Sequence, residues 1–169
     1  MYRIAILEDE IWISTLIRTF VQKNFHQVEL IGECQNGRDA LQLIDREHPD
    51  IALVDINVPL LNGLDVIAEA SRRNIGCKFV IITGYKDFEY VHQALKSGVS
   101  DYLLKPVEES ELCTVLRRIM LELEQEQNKQ RTIATSSRLL HMHFLKNLMF
   151  QDKYEGLDVW DLSQYNLHF

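Results

Sequence analysis

Cysteine is scarce and unpatterned: the three residues, Cys34, Cys77 and Cys113, are odd in number and share no close spacing. That argues against a disulfide framework and a zinc knuckle and fits a reducing cytoplasm. Positive charge is also short. Against 25 Asp and Glu there are only 18 Lys and Arg, and the formal charge of -7 makes the chain a poor ligand for polyanions. Any contact with DNA is expected to come from elsewhere. There is no apolar run of membrane length, and Met1-Tyr2-Arg3 leads at once into strand-like residues without a charged leader, apolar core or cleavage site. A soluble, cytoplasmic chain without a membrane partner is expected.

What is present is enough for one full core with residues left over, since 46% of 169 residues are hydrophobic. Up to about Glu122, short β-branched runs alternate with longer amphipathic stretches, the pattern of βα units around a parallel sheet. Arg3 to Leu7, Val28 to Cys34, Ile51 to Val54, Lys78 to Ile82 and Asp101 to Leu104 read as strands, mostly too apolar to have a face in water. Ile11 to Lys23, Gly37 to Arg46, Gly63 to Arg73, Lys86 to Ser97 and Glu109 onward carry apolar residues at helical spacing. His48-Pro49-Asp50, Asn62-Gly63, Asn74 to Gly76 and Ser97-Gly98 supply the breaks. The expected fold is α/β: a flavodoxin-like, doubly wound (βα)5 with parallel sheet order 2-1-3-4-5 and an extended C-terminal helix.

The last helix is expected to outrun the domain. Leu112, Val115, Leu116, Ile119 and Leu123 are followed by polar Glu124 to Arg131, and apolar spacing returns only at Leu139. Leu139, Leu140, Phe144, Leu145 and Leu148 could form a dimer seam, but Glu126, Gln130 and Ser137 interrupt the heptad. The division expected is therefore 1–122 as the globular domain, 123–150 as a helical linker, and 151–169 as a tail that begins a truncated region. His141 and His143, one residue apart, point to different helix faces and read as surface residues.

Glu8, Asp9 and Glu10 directly follow the first strand and Asp55 ends the third, so these acids share the carboxyl edge of the sheet, where ligands bind in such folds. In the expected strand order the first and third strands are neighbours, which brings Glu8 and Asp9 close to Asp55. Carboxylates without His or Cys suit a hard cation that keeps several waters, magnesium before calcium. Asp9 and Asp55 are its expected direct ligands. The plainer alternative is that the acids cap the first helix, worth about 0.3–1 kcal/mol; Glu10 reads as doing only that. Thr83 and Lys105 end the fourth and fifth strands, so a hydroxyl and an ammonium reach the same edge. Alone, each is ordinary; together they make a phosphoryl site.

Leu7-Glu8-Asp9-Glu10, Val54-Asp55-Ile56-Asn57 through Asn62-Gly63, Thr83-Gly84 and Leu104-Lys105-Pro106 together resemble the receiver family of response regulators over residues 1 to about 122. The resemblance implies that Asp55 is the phospho-acceptor for a sensor histidine kinase. It also implies Mg2+ held by Asp9, Asp55 and the Asn57 backbone carbonyl, Glu8 acting through a water, and catalytic help from Lys105 and Thr83. Thr83 and Tyr102 resemble the family's switch pair, although Tyr102 also reads as a plain core aromatic. The Lys105-Pro106 bond is expected to be cis, with an ordinary trans bond as the alternative. One departure stands out: Glu8 occupies a position more often Asp in the family. Gly84 beside Thr83 is small and implies an acyl phosphate open to water or a phosphatase; the expected chain is a phospho-acceptor that assists its own phosphorylation and slow autodephosphorylation, not an enzyme.

The stretch from Gly84-Tyr85-Lys86 to Ser97-Gly98 resembles receivers of the YesN/AraC-type transcriptional regulators. That implies a longer parent with an AraC-type DNA-binding domain missing from this chain, and a possible homodimer through the last helix. Competing expectations are a stand-alone receiver serving as a protein-binding switch or phosphate sink, and a degenerate receiver that is never phosphorylated. A related Asp-nucleophile hydrolase would need a second Asp where Asn57 stands.

Overall fold

Ile51–Asp55 has no exposed residue, and a strand apolar on both faces belongs inside a sheet covered on both sides. The computed structural model of the chain describes residues 1–84 and 99–150, with side chains up to 132 and at 138, 140 and 142. Its elements are β1 (Tyr2–Leu7), α1 (Ile11–Asn24), β2 (Val28–Cys34), α2 (Gly37–Glu47), β3 (Ile51–Asp55), α3 (Gly63–Arg72), β4 (Lys78–Thr83), β5 (Asp101–Leu104) and α4 (Glu109–Phe150). The strands form one sheet in the order β2-β1-β3-β4-β5, with every described pairing parallel. This is the doubly wound order expected from the sequence. The helix expected at Lys86–Ser97 and the tail from Gln151 lie outside the described residues.

Alternate residues of each inner strand feed two separate cores. Ile4 and Ile6, Ile51 and Leu53, and Val80 and Ile82 pack on one side with Ile13, Ile17 and Val21 of α1 and Leu112, Leu116 and Ile119 of α4. Leu7, Ala52 and Val54, and Phe79 and Ile81 pack on the other with Ala40 and Ile44 of α2 and Val66, Ile67 and Ala70 of α3. The period of two in the strands thus meets helical stripes on both faces. A fully buried Ile or Leu gains about 1.5–3 kcal/mol over an exposed one, so these layers fix where the strands end.

Those ends matter for the site. β3 ends on Asp55 and β4 on Thr83, as expected from the sequence: Asp55 pairs in register with Ile82 and Thr83 with Leu104. Asp55 and Thr83 therefore occupy the last rungs of their strands.

Two helices begin with side-chain caps. Asn36 and Asn62 accept from the backbone amides of Asp39 and Asp65, each at 2.9 Å, where Asn satisfies a helix donor that would otherwise lack a partner. α4 continues unbroken to Phe150. Its polar middle does not stop it, because Glu, Gln, Lys and Arg are good helix formers and no Gly or Pro intervenes. The chain divides into two compact units, Met1–Leu123 and Glu124–Phe169.

Candidate functional site

The register of β1 on β3 places Leu7 opposite Val54, so the next residues, Glu8 just past β1 and Asp55 at the end of β3, stand side by side at the sheet edge. Carboxylate oxygens of Glu8, Asp9 and Asp55 all lie within 4.8 Å of one another. Glu8 and Asp55 are buried, whereas Asp9 is exposed. Three acids this close repel one another unless a cation sits among them.

Lys105 supplies one positive charge. It follows β5, its backbone amide donates to the Thr83 carbonyl at 2.8 Å, and the Lys105-Pro106 bond is cis. Its Nζ donates to Asp55 Oδ2 at 2.7 Å, to Glu8 Oε1 at 2.9 Å and to Glu10 Oε1 at 3.4 Å. Burial alone would lower the Lys105 pKa, but the hydrogen bonds to Asp55 and Glu8 outweigh it and hold the ammonium well above its ordinary range. Lys105 is thus charged at any physiological pH.

One lysine does not satisfy the cluster. Burial, helped by the charge of Asp55 and opposed by Lys105, pushes Glu8 up to about 7. Its second oxygen, Oε2, is buried without a hydrogen-bond partner. A buried, unpartnered carboxylate oxygen beside two further carboxylates is an all-oxygen donor set with room in its charge balance for a second cation. These residues fit a hard divalent ion.

The loop after β3 closes the site from the other side. Asn57 donates its backbone amide to Asp55 Oδ1 at 3.1 Å, and the Gly63 amide donates to the Ile56 carbonyl at 3.0 Å. Gly63 has to be glycine: a Cβ there would lie 2.1 Å from the Asp55 carbonyl oxygen and 2.7 Å from Val54 Cγ1. Both Asp55 oxygens are consequently held, one by Lys105 and one by Asn57.

Thr83 is fully buried and its hydroxyl donates to the Gly84 carbonyl at 3.2 Å. Tyr102 is half-buried and packs against the core beneath α2 and α3. Because Ile81 pairs with Tyr102 and Thr83 with Leu104, Thr83 and Tyr102 lie on the same sheet face, two residues apart along it. The structure therefore brings Glu8, Asp9, Asp55 and Lys105 into one cluster, with Asn57 and Thr83 at its edges and Tyr102 one step back.

Glu10 does more than the helix-end role that the sequence reading gave it. It stands at the N-cap of α1, yet its side chain makes no capping hydrogen bond. Instead Oε2 accepts from Trp12 Nε1 at 3.0 Å and Oε1 from Lys105. The signal available in the sequence was only a third acid in a row; that it turns toward Lys105 depends on where β5 ends.

The sequence matches the family described as the response regulator receiver domain over residues 4–117. It is 32% identical over 143 residues to the uncharacterized transcriptional regulatory protein YesN of Bacillus subtilis, covering 84% of this chain and 39% of YesN. It is 30% identical over 136 residues to the transcriptional regulatory protein HptR of Staphylococcus aureus, covering 80% of this chain and 53% of HptR. The chain thus spans about half or less of these relatives. Among solved structures, it is similar to the REC domain of AraT, a response regulator from Geobacillus stearothermophilus. The TM-score is 0.70 at 34% identity, over 75% of this chain and 98% of that domain.

Proposed function

The chain belongs to the response regulator receiver domain family, and on that premise we propose that Asp55 accepts a phosphoryl group from a sensor histidine kinase in a two-component phosphorelay. The observation that carries this is the hold on Asp55: a buried carboxylate on the last rung of β3, fixed by Lys105 Nζ at 2.7 Å and by the Asn57 amide at 3.1 Å. A carboxylate is a weak nucleophile, so orientation and charge neutralisation must supply most of the rate.

In this reading an Asp55 oxygen attacks the phosphorus of a phosphohistidine. The new P–O bond makes an acyl phosphate, the P–N bond breaks, and the imidazole leaves with a proton from solvent. Lys105, already beside Asp55, pairs with an equatorial phosphoryl oxygen as charge develops there. The Thr83 hydroxyl, at the end of β4, turns to another. Magnesium held by Asp9, Asp55 and the Asn57 carbonyl, with Glu8 acting through a water, would neutralise the phosphoryl oxygens that Lys105 does not reach. The unpartnered Glu8 Oε2 supports that ion. The chain promotes its own modification and its slow hydrolysis, and turns over no separate substrate.

Thr83 and Tyr102 are the proposed switch. As the Thr83 hydroxyl moves toward the phosphoryl group, the half-buried Tyr102 takes up the space on the same face and reshapes the β4–β5 edge. Moving such an equilibrium from 1:99 to 99:1 takes about 5.5 kcal/mol. Residues 1–122 carry this chemistry, 123–150 serve as a helical linker and 151–169 begin a further region. Transcription control acts through an AraC-type DNA-binding domain absent from this chain. Its support is that YesN and HptR are named transcriptional regulatory proteins and extend well past the matched region. A cytoplasmic setting fits the free cysteines, and no helix of the described residues is long and apolar enough to cross a membrane.

Incubation with acetyl phosphate and magnesium, followed by mass spectrometry, tests the central step. The expected result is one phosphoryl addition mapping to Asp55 and lost in Asp55→Asn. No addition, or addition elsewhere, removes the mechanism.

A further inference from the structure

Four acids surround Lys105 or Asp55, but only three form the tight oxygen cluster. Glu10, the fourth, is outside it, is half exposed, and makes no capping bond to α1. Its carboxylate is nevertheless fixed. Trp12 Nε1, from a side chain that is itself 62% exposed, donates to one oxygen at 3.0 Å, and Lys105 Nζ donates to the other at 3.4 Å. Two donors, one on α1 and one just past β5, thus hold it on the lysine that Asp55 also uses.

We propose that Glu10 is a specificity-determining residue for the phosphoryl donor: pinned by Trp12 and Lys105 beside Asp55, it disfavours small free phosphoryl anions relative to a phosphoryl group carried on a protein. The inference rests on the reading of Asp55 as phospho-acceptor. Lys105 Nζ lies 2.7 Å from Asp55 Oδ2 and 3.4 Å from Glu10 Oε1, so the two carboxylates are within about 6 Å of each other, close enough for a solvated charge to be felt. A donor approaching Asp55 meets that negative charge at the rim. Lys105, shared with Glu10, is also less free to pair with the incoming phosphoryl oxygens. A protein donor offsets the repulsion with the rest of its docking surface, whereas a small anion has nothing else to bind with.

The field has a measurable form. For a unit charge at that distance in water, Coulomb's law gives about a tenfold effect on a doubly charged donor and about a threefold effect on a singly charged one. It shrinks as salt shortens the screening length from about 10 Å at 0.1 M to about 3 Å at 1 M.

The experiment measures the rate of mass gain at Asp55 in the 169-residue chain, with magnesium at neutral pH. One donor is acetyl phosphate, doubly charged, from which acetate leaves as the P–O bond to Asp55 forms. The other is phosphoramidate, singly charged, from which the P–N bond breaks and ammonia leaves. Glu10→Gln is expected to react about ten times faster than wild type with the first and about three times faster with the second at low ionic strength. Both gains should collapse toward unity near 1 M salt and appear in the dependence on donor concentration, not in the saturated rate. Trp12→Phe keeps the charge but removes the indole donor, and is expected to give a smaller gain of the same salt dependence. A purely structural role for Glu10 would move neither the charge discrimination nor the salt dependence. Equal or slower reaction of Glu10→Gln, or a gain identical for the two donors and insensitive to salt, overturns the proposal and leaves Asp55 as acceptor intact. Absence of mass gain in wild type and variant alike overturns both.

Discussion

Glu8 carries the least comfortable atom in the site, a buried Oε2 without a hydrogen-bond partner, and its discomfort has a pH signature. Burial, with Asp55 adding to it, raises its pKa from 4.5 to about 7 despite the pull of Lys105. Between those values the unfolded chain has lost the Glu8 proton while the folded chain keeps it. Folding then binds more protons than unfolding, and stability falls as pH rises through the window, by up to about 3 kcal/mol, before levelling off. Glu47, Glu69 and Glu109 act in the opposite sense: hydrogen bonds to their partners lower their pKa, so their contribution is lost only as pH drops below the ordinary carboxylate range. The two windows do not overlap. In magnesium-free buffer the thermal midpoint of the wild type is expected to decline from about pH 5 to about pH 7, and Glu8→Gln to flatten that decline. A wild-type midpoint that stays level there would contradict the burial argument.

At the scale of elements, the site depends on how closely α3 approaches the end of β3. Gly63 begins α3 directly against the Asp55 carbonyl, and the nearest obstruction to a Cβ is backbone, which cannot rotate away. Gly63→Ala must therefore push the helix start or the strand end aside. The expected loss is about 1–3 kcal/mol, the range for overpacking a well-filled core. Acetyl phosphate labelling should fall with it, because the same shift moves Asp55 relative to Lys105 and the Asn57 amide. Urea unfolding monitored by circular dichroism measures the first effect and mass spectrometry the second; an alanine variant as stable and as reactive as wild type would show that the approach is looser than 2.1 Å implies.

For the whole molecule, α4 is the element whose purpose the receiver core does not exhaust. Within Met1–Leu123 its Leu112, Leu116 and Ile119 are fully buried, while Leu121 is exposed; within Glu124–Phe169, Leu140 and Met142 are exposed. Residues 124–132 face solvent, and the heptad broken at Glu126, Gln130 and Ser137 gives a seam too poor to hold a dimer by itself. Association is therefore expected to need the rearranged, phosphorylated face. Cross-linking with and without beryllofluoride and magnesium should give mostly monomer in the resting chain and an increased dimer fraction in the activated one. Equal dimer fractions in the two conditions would break the link between the switch and α4.

Much of this was readable in the residues. β-branched runs, helical stripes and Gly, Asn and Pro breaks determined the βα alternation, because periodicity and backbone preference are local properties. The same local signals placed Asp55, Thr83 and Lys105 at strand ends. What the sequence could not decide is which oxygen meets which donor. The rungs that Asp55 and Thr83 occupy, opposite Ile82 and Leu104, come from cross-strand pairing. The second contact of Glu10, beyond Trp12 of its own helix, follows from the position of Lys105, which is 95 residues distant in the chain. The raised pKa of Glu8 comes from its burial in the folded chain beside Asp55. Composition and spacing thus determined the elements and the chemistry available to them; charge balance, protonation and reach were decided only by the packed sheet, because electrostatic energies depend on distances and burial that no local pattern encodes.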